Sequence, residues 1–123
     1  MDKYNFTEEE LIEQFEDSMK HFNVAAFVEA NAPKKVTASG EYVSAMSDSD
    51  LEHVEAGIRN LIDIYRGVDC GGHFLTAVIR NDLMDATTRA DGSNYRGLVI
   101  YSLFLYNHVP NELVRMFREK YKK

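Results

Sequence analysis

The residues best suited to chemistry are carboxylates and one guanidinium set inside an apolar pattern. Asp82 stands among Val78, Ile79 and Ala86, at the centre of the apolar face of a helix expected over residues 73–90. A carboxylate placed there is costly unless it is paired or hydrogen-bonded, and burial would raise its pKa toward that of a general acid. Arg89 projects near the same side, and Asp85 precedes it by four residues, so Asp82, Asp85 and Arg89 form a candidate polar cluster in the core. No nucleophile and no second activated group accompany them, which favours a structural acid over a catalytic one. The chain is therefore expected to carry no catalytic residue and to be no enzyme.

Cys70-Gly71-Gly72-His73 offers metal-ligand types at a usable spacing. Zinc prefers four ligands, and structural sites usually show a second pair. Asp69, His21, His53 and His108 are scattered and supply none, so neither metal nor cofactor is expected. The two glycines are not a P-loop, because no strand clearly precedes them and no Lys-Ser/Thr follows. A tight loop that admits close contact by a helix is the better account.

Charge gives two candidate partner surfaces. Residues 1–63 hold 14 acids and 5 bases, net −9, whereas residues 64–123 hold 6 acids and 9 bases, net +3. Such asymmetry marks either two partner surfaces or an internal head-to-tail attraction. On the acidic side, Glu9, Glu13, Glu16 and Asp17 form the polar face of an amphipathic helix and could mimic a nucleic-acid backbone for a basic protein target. On the basic side, Arg115, Arg118, Lys120 and Lys122 could contact phosphates, with Tyr121 available for stacking. A pI near 5.1 opposes that second reading, since a basic domain is the usual footprint of nucleic-acid binding.

The elements that must position these residues follow from periodicity and punctuation. Thr7 with Glu10 reads as a capping box ahead of Leu11, Phe15, Met19 and Phe22, so residues 8–22 are expected to be helical. Residues 24–32 extend that helix or begin another, and Pro33 ends it. Val36-Thr37 and Tyr42-Val43 flank Ser39-Gly40, so a small β-hairpin fits near residues 36–44, with a surface loop as the alternative. Ser49 with Glu52 reads as a second capping box. Leu51, Val54, Ile58, Leu61, Ile62 and Tyr65 then mark a helix over 50–66, with Gly67 as its left-handed cap. Gly57 lies inside that helix, and a close approach by another element would explain it.

Asp91-Gly92-Ser93-Asn94 has turn chemistry. The run from Leu98 to Tyr106 is apolar on every side; its length and Asn107 as a cap favour helix over strand. Three surrounding helices could cover it, and so could a homodimer interface. Pro110 opens a last helix with Leu113, Phe117 and Tyr121 on one face.

The fold class expected is thus mainly α: one compact domain of four to six helices, with the hairpin near 36–44. A chain of 123 residues buries enough surface to need no disulfide, and its single cysteine fits a reducing compartment. The longest apolar run falls far short of the ~20 residues of a membrane span, and the N-terminus shows no signal-peptide pattern. A cytoplasmic protein without a membrane partner is expected.

Residues 58–110 carry a recognisable string: Ile58, Tyr65-Arg66-Gly67, Gly72-His73-Phe74-Leu75, Ala77-Val78-Ile79 and Asn81-Asp82-Leu83, then Ala86, Arg89-Ala90-Asp91, Asn94, Leu98, Tyr106-Asn107 and Pro110. The string resembles a widespread, largely uncharacterised family of small proteins encoded by bacteriophages and prophages. The resemblance implies a phage origin, and with it a family-like helical core at 47–110 between a chain-specific part at 1–46 and a basic helix at 111–123. Small phage proteins of this kind often disable or redirect a host machine. The function implied is a non-enzymatic protein that binds and inhibits a host protein, such as a component of a CRISPR defence system. A nucleic-acid or nucleotide-binding accessory module is the alternative.

Overall fold

The computed structural model describes residues 5–68, 72–82, 86, 90 and 92–122. The fold is mainly helical with one small hairpin, as the pattern predicts. Its elements are α1 (Glu8–Met19), α2 (Val24–Asn31), β1 (Lys34–Val36), β2 (Tyr42–Ser44), α3 (Asp48–Tyr65), α4 (His73–Ile79), α5 (Gly92–Arg96), α6 (Leu98–His108) and α7 (Asn111–Lys120).

The first half follows its sequence signals. Thr7 and Glu10 form the expected capping box on α1, and Leu11 and Phe15 are its buried residues. Met19 and Phe22 pack against the same core although α1 ends at Met19. The Asn23 side chain accepts from the Ala26 amide and starts a separate α2. β1 and β2 are antiparallel, with Lys35 opposite Val43, and Gly40 takes φ +85° in the loop between them.

α3 begins two residues earlier than expected, and its capping box is Ser47 with Asp50 rather than Ser49 with Glu52. Both spacings satisfy the motif. In the one that forms, Asp50 is buried and has Arg96 as a second partner. Helix α3 closes as a Schellman motif: Val68 N–H donates to Asp63 O and Gly67 N–H to Ile64 O, both at 2.9 Å, with Gly67 at φ +80°. That geometry satisfies the last carbonyls of the helix.

The helix expected over 73–90 is not continuous. It breaks after Ile79 by a second Schellman closure, in which Asp82 N–H donates to Ala77 O and Asn81 N–H to Val78 O, both at 3.0 Å. Asn81 sits at φ +60°, a conformation asparagine tolerates better than most residues. Ala86 is helical again and donates to Asp82 O at 2.9 Å. The turn expected at residues 91–94 is also corrected. Gly92 to Arg96 is a helical turn, and Asp91 lies outside the described residues.

The core runs along α3 and α6. Phe15 meets Tyr65 and Phe104 edge-on, with ring centroids at 6.1 and 6.4 Å, while Tyr65 stacks on Phe117 at 4.7 Å. Such pairs add about 0.5–1.5 kcal/mol beyond the area they bury. Gly57 has its explanation in Tyr101, whose hydroxyl and ring fill the space a Cβ at 57 would need. The Tyr101 hydroxyl donates to Asn94 Oδ1 at 2.6 Å, so α3, α5 and α6 are fixed to one another at this point. α6 is helix, as its length favoured, yet only part of it is covered. Ile100, Tyr101 and Phe104 are buried, whereas Val99 is 46% and Tyr106 80% exposed.

Candidate functional site

Asp82 does not occupy the centre of the buried helical face that the pattern predicts. The break at Asn81 takes Asp82 off the face of α4, and its side chain is 41% exposed with Oδ2 3.7 Å from an Arg80 guanidinium nitrogen. Periodicity was the misleading signal, because it counts positions along a helix that the left-handed turn interrupts. Asp85 and Arg89 lie outside the described residues, as does Cys70 of the Cys70/His73 spacing.

α1 displays Glu9, Glu13, Glu16 and Asp17 to solvent, as its amphipathic pattern requires. The chain neutralises part of that row itself. Lys20 pairs with Asp17 at 3.0 Å, Arg66 with Glu16 at 4.0 Å, and Lys120 with Glu8 at 2.7 Å. Glu10 is held ionised, its pKa lowered by the Thr7 amide and hydroxyl. Among the described residues, Glu9 and Glu13 stand one turn apart with no cation in ion-pairing range.

Of the basic residues in and just after α7, Lys120 is taken up by a contact within the chain. Lys120, besides its bond to Glu8, lies 4.8 Å from the centroid of the Phe117 ring. Arg115, Arg118 and Lys122 are exposed. The halves of opposite net charge therefore meet within the molecule, at Glu8–Lys120 and Glu16–Arg66 and more firmly at Asp50–Arg96. Arg96 Nε donates to Asp50 Oδ2 and one of its terminal nitrogens to Oδ1, each at 2.9 Å. The sequence offered no signal for that pair beyond an acid in a capping motif.

Pattern reading also missed a cleft of about 260 Å³ assembled from four separate places in the chain. Ala77 and Val78 of α4 form one wall. Leu98 and Leu105 of α6 form another, with Tyr101 below and Tyr106 at the rim, and Val114 of α7 closes the third side. Asn81, Asp82 and Ala86 contribute the edge that the helix break creates. Arg118 lines the cleft and also the adjoining depression that holds Arg80, Asp82, Glu119 and Lys122. Most of this wall is apolar, and Asp82 and Arg118 are the charged groups among its described residues, a combination common in ligand pockets.

Among the described residues, no group of three or more His, Cys, Asp or Glu is placed to hold a metal ion, and no helix is long and apolar enough to cross a membrane. His108 leans on Phe22, Phe27 and Phe104, with ring centroids at 4.8, 5.1 and 5.9 Å, and burial lowers its pKa. It serves packing. No family model, no curated protein and no solved structure matches the chain.

Proposed function

We propose that this is a phage-type, non-catalytic interaction protein that binds a basic surface on a host protein in the host cytoplasm and so inhibits it. A component of a defence system such as CRISPR is the class of target. The observation that carries the reading is the outer face of α1, where Glu9 and Glu13 remain unneutralised beside a shallow depression lined by Glu10, Gln14 and Glu16. Among the described residues, Glu8, Glu16 and Asp17 have cations within the chain, so Glu9 and Glu13, with the ionised Glu10 between them, are the charges this face leaves for another molecule. The likeness of residues 58–110 to small phage proteins supports the choice of a host target, with the helical core as scaffold. A homodimer on the open side of α6, at Val99 and Tyr106, is compatible with this contact because it uses a different helix.

Charge complementarity of this kind chiefly sets association rate and salt dependence. Immobilised protein should retain a host partner at low salt and release it near about 0.5 M salt, where screening shortens to a few ångströms. The double charge reversal Glu9→Lys with Glu13→Lys should lose that partner while the fold survives, since both positions are exposed. Retention of the same partner by the reversed variant would sink the proposal.

A further inference from the structure

The cleft between α4, α6 and α7 has a composition that specifies a ligand of its own. Its body is apolar: Val78, Leu98, Leu105 and Val114 are half-buried around it, and Ala77 is buried at its base. Its volume of about 260 Å³ lies just under the range of roughly 300–1,000 Å³ common for ligand pockets. That suits a small molecule, not the side of a helix. At one end stands Arg118, which among the described residues has no carboxylate in ion-pairing range. The adjoining depression adds Arg80 and Lys122 against Asp82 and Glu119, three cations to two acids among the described residues. This end is therefore locally positive in a chain whose net charge is −6.

We propose that this cleft binds a small amphiphilic carboxylate, with an aliphatic body between α4 and α6 and its head group on the Arg118 guanidinium. A guanidinium presents a planar fork that matches a carboxylate with two parallel hydrogen bonds. One surplus positive charge suits a monoanion better than a phosphate dianion. A metal cation is disfavoured by the same balance, and Asp82, the acid at the cleft edge, already faces Arg80 at 3.7 Å. Burial of an aliphatic chain against these walls gains about 25 cal/mol per Å² of apolar surface removed from water. The exposed Tyr106 at the rim can fold over the part that protrudes. None of the acids assigned to the partner contact takes part, so either reading can fail without the other.

Octanoate and octanol serve as probes that share a chain and differ in the head group. Titrations followed by amide proton–nitrogen correlation spectra should show saturable octanoate shifts at Ala77, Leu105 and Val114, with a Kd below about 1 mM. Arg118→Gln should weaken octanoate about tenfold, the loss of a charge-assisted contact at an exposed site, and leave octanol unchanged. Ser102 lines the cleft and is exposed, so Ser102→Trp should block both probes; Ser102→Leu is the milder blocker if the first variant loses its melting transition. Equal affinity for the two probes, indifference of octanoate to Arg118→Gln, or shifts centred away from this cleft would each overturn the assignment.

Discussion

Arg96 holds Asp50 through two parallel hydrogen bonds of 2.9 Å, across 46 residues of chain. The Asp50 side chain is only 10% exposed and the Arg96 side chain half exposed. Asp50 also caps α3, where its Oδ2 accepts from the Ser47 amide at 3.3 Å. Removing the arginine takes two charge-assisted hydrogen bonds from a nearly buried carboxylate. Arg96→Ala should cost about 1–3 kcal/mol, the range for hydrogen bonds to charged groups, trimmed because one partner reaches solvent. Arg96→Lys should recover only part of it, since a lysine cannot reproduce the fork. Urea denaturation of the three proteins measures this. No change in midpoint for Arg96→Ala would remove the pair from any account of stability.

Gly57→Ala sets helix propensity against packing. Alanine is favoured by up to ~1 kcal/mol in a helix interior, but its Cβ would enter the space held by the Tyr101 hydroxyl and ring. Overpacking costs about 1–3 kcal/mol, so the variant should be less stable than the parent. Tyr101→Phe removes the nearest atom, so the two substitutions together should be less damaging than the sum of their separate effects. Strict additivity of the two in thermal unfolding would contradict the structural explanation of this glycine.

His108 makes stability depend on pH in a defined direction. Its folded pKa lies below the unfolded value of 6.5 because burial disfavours the charged ring. The unfolded chain therefore binds the proton more readily, and acidification favours unfolding. This histidine should leave stability untouched well above pH 6.5 and subtract from it progressively below, until the folded ring also protonates. His108→Phe should flatten that part of the profile when denaturation midpoints are compared at pH 7.5 and 5.5, values chosen to bracket the unfolded pKa of roughly 6.5. An equal acid-side loss in parent and variant would assign the slope to other groups.

Tyr65 is wholly buried, and its hydroxyl has no hydrogen-bond partner among the described residues. Burial raises its pKa well above the usual phenol value, a push that the positive charge of Arg118 opposes. A buried hydroxyl left without a partner costs about 1–3 kcal/mol in desolvation. Tyr65→Phe keeps the stack on Phe117 and removes that cost, so it should raise the melting temperature. A clear fall would mean that the hydroxyl has a partner in solution.

Local signals carried the fold of the first half. Thr7–Glu10, the spacing from Leu11 to Phe22, Pro33 and Gly67 each describe an interaction within a few residues, and each is realised at or near its expected place. The misreadings come where a neighbour distant in sequence decides the outcome. Two capping boxes were available to α3, and the one that forms also joins Asp50 to Arg96, 46 residues away. Asn81 gave no warning, because an asparagine in a helical pattern is ordinary until its φ turns positive. The acidic face of α1 was legible residue by residue, although not how much of it Lys120, Arg66 and Lys20 would cancel. The cleft was illegible, since its walls come from three helices and a turn that share no motif.

The contact between α1 and α7 bears on the order in which the molecule assembles. Asn5 reaches Glu112 and Glu8 reaches Lys120 across 107 and 112 residues. Closing a loop of that length costs about 2 kcal/mol more entropy than closing one of ten residues. The neighbouring pairs α2–α3 and α5–α6 and the β1–β2 hairpin span short loops and carry no such handicap. The seam between the first and last helices should form late in folding and open first in native-state hydrogen exchange. Amides of α1 that exchange no faster than those of α3 would refute this order. The helix that carries the acidic face is then also the one the protein can most readily release.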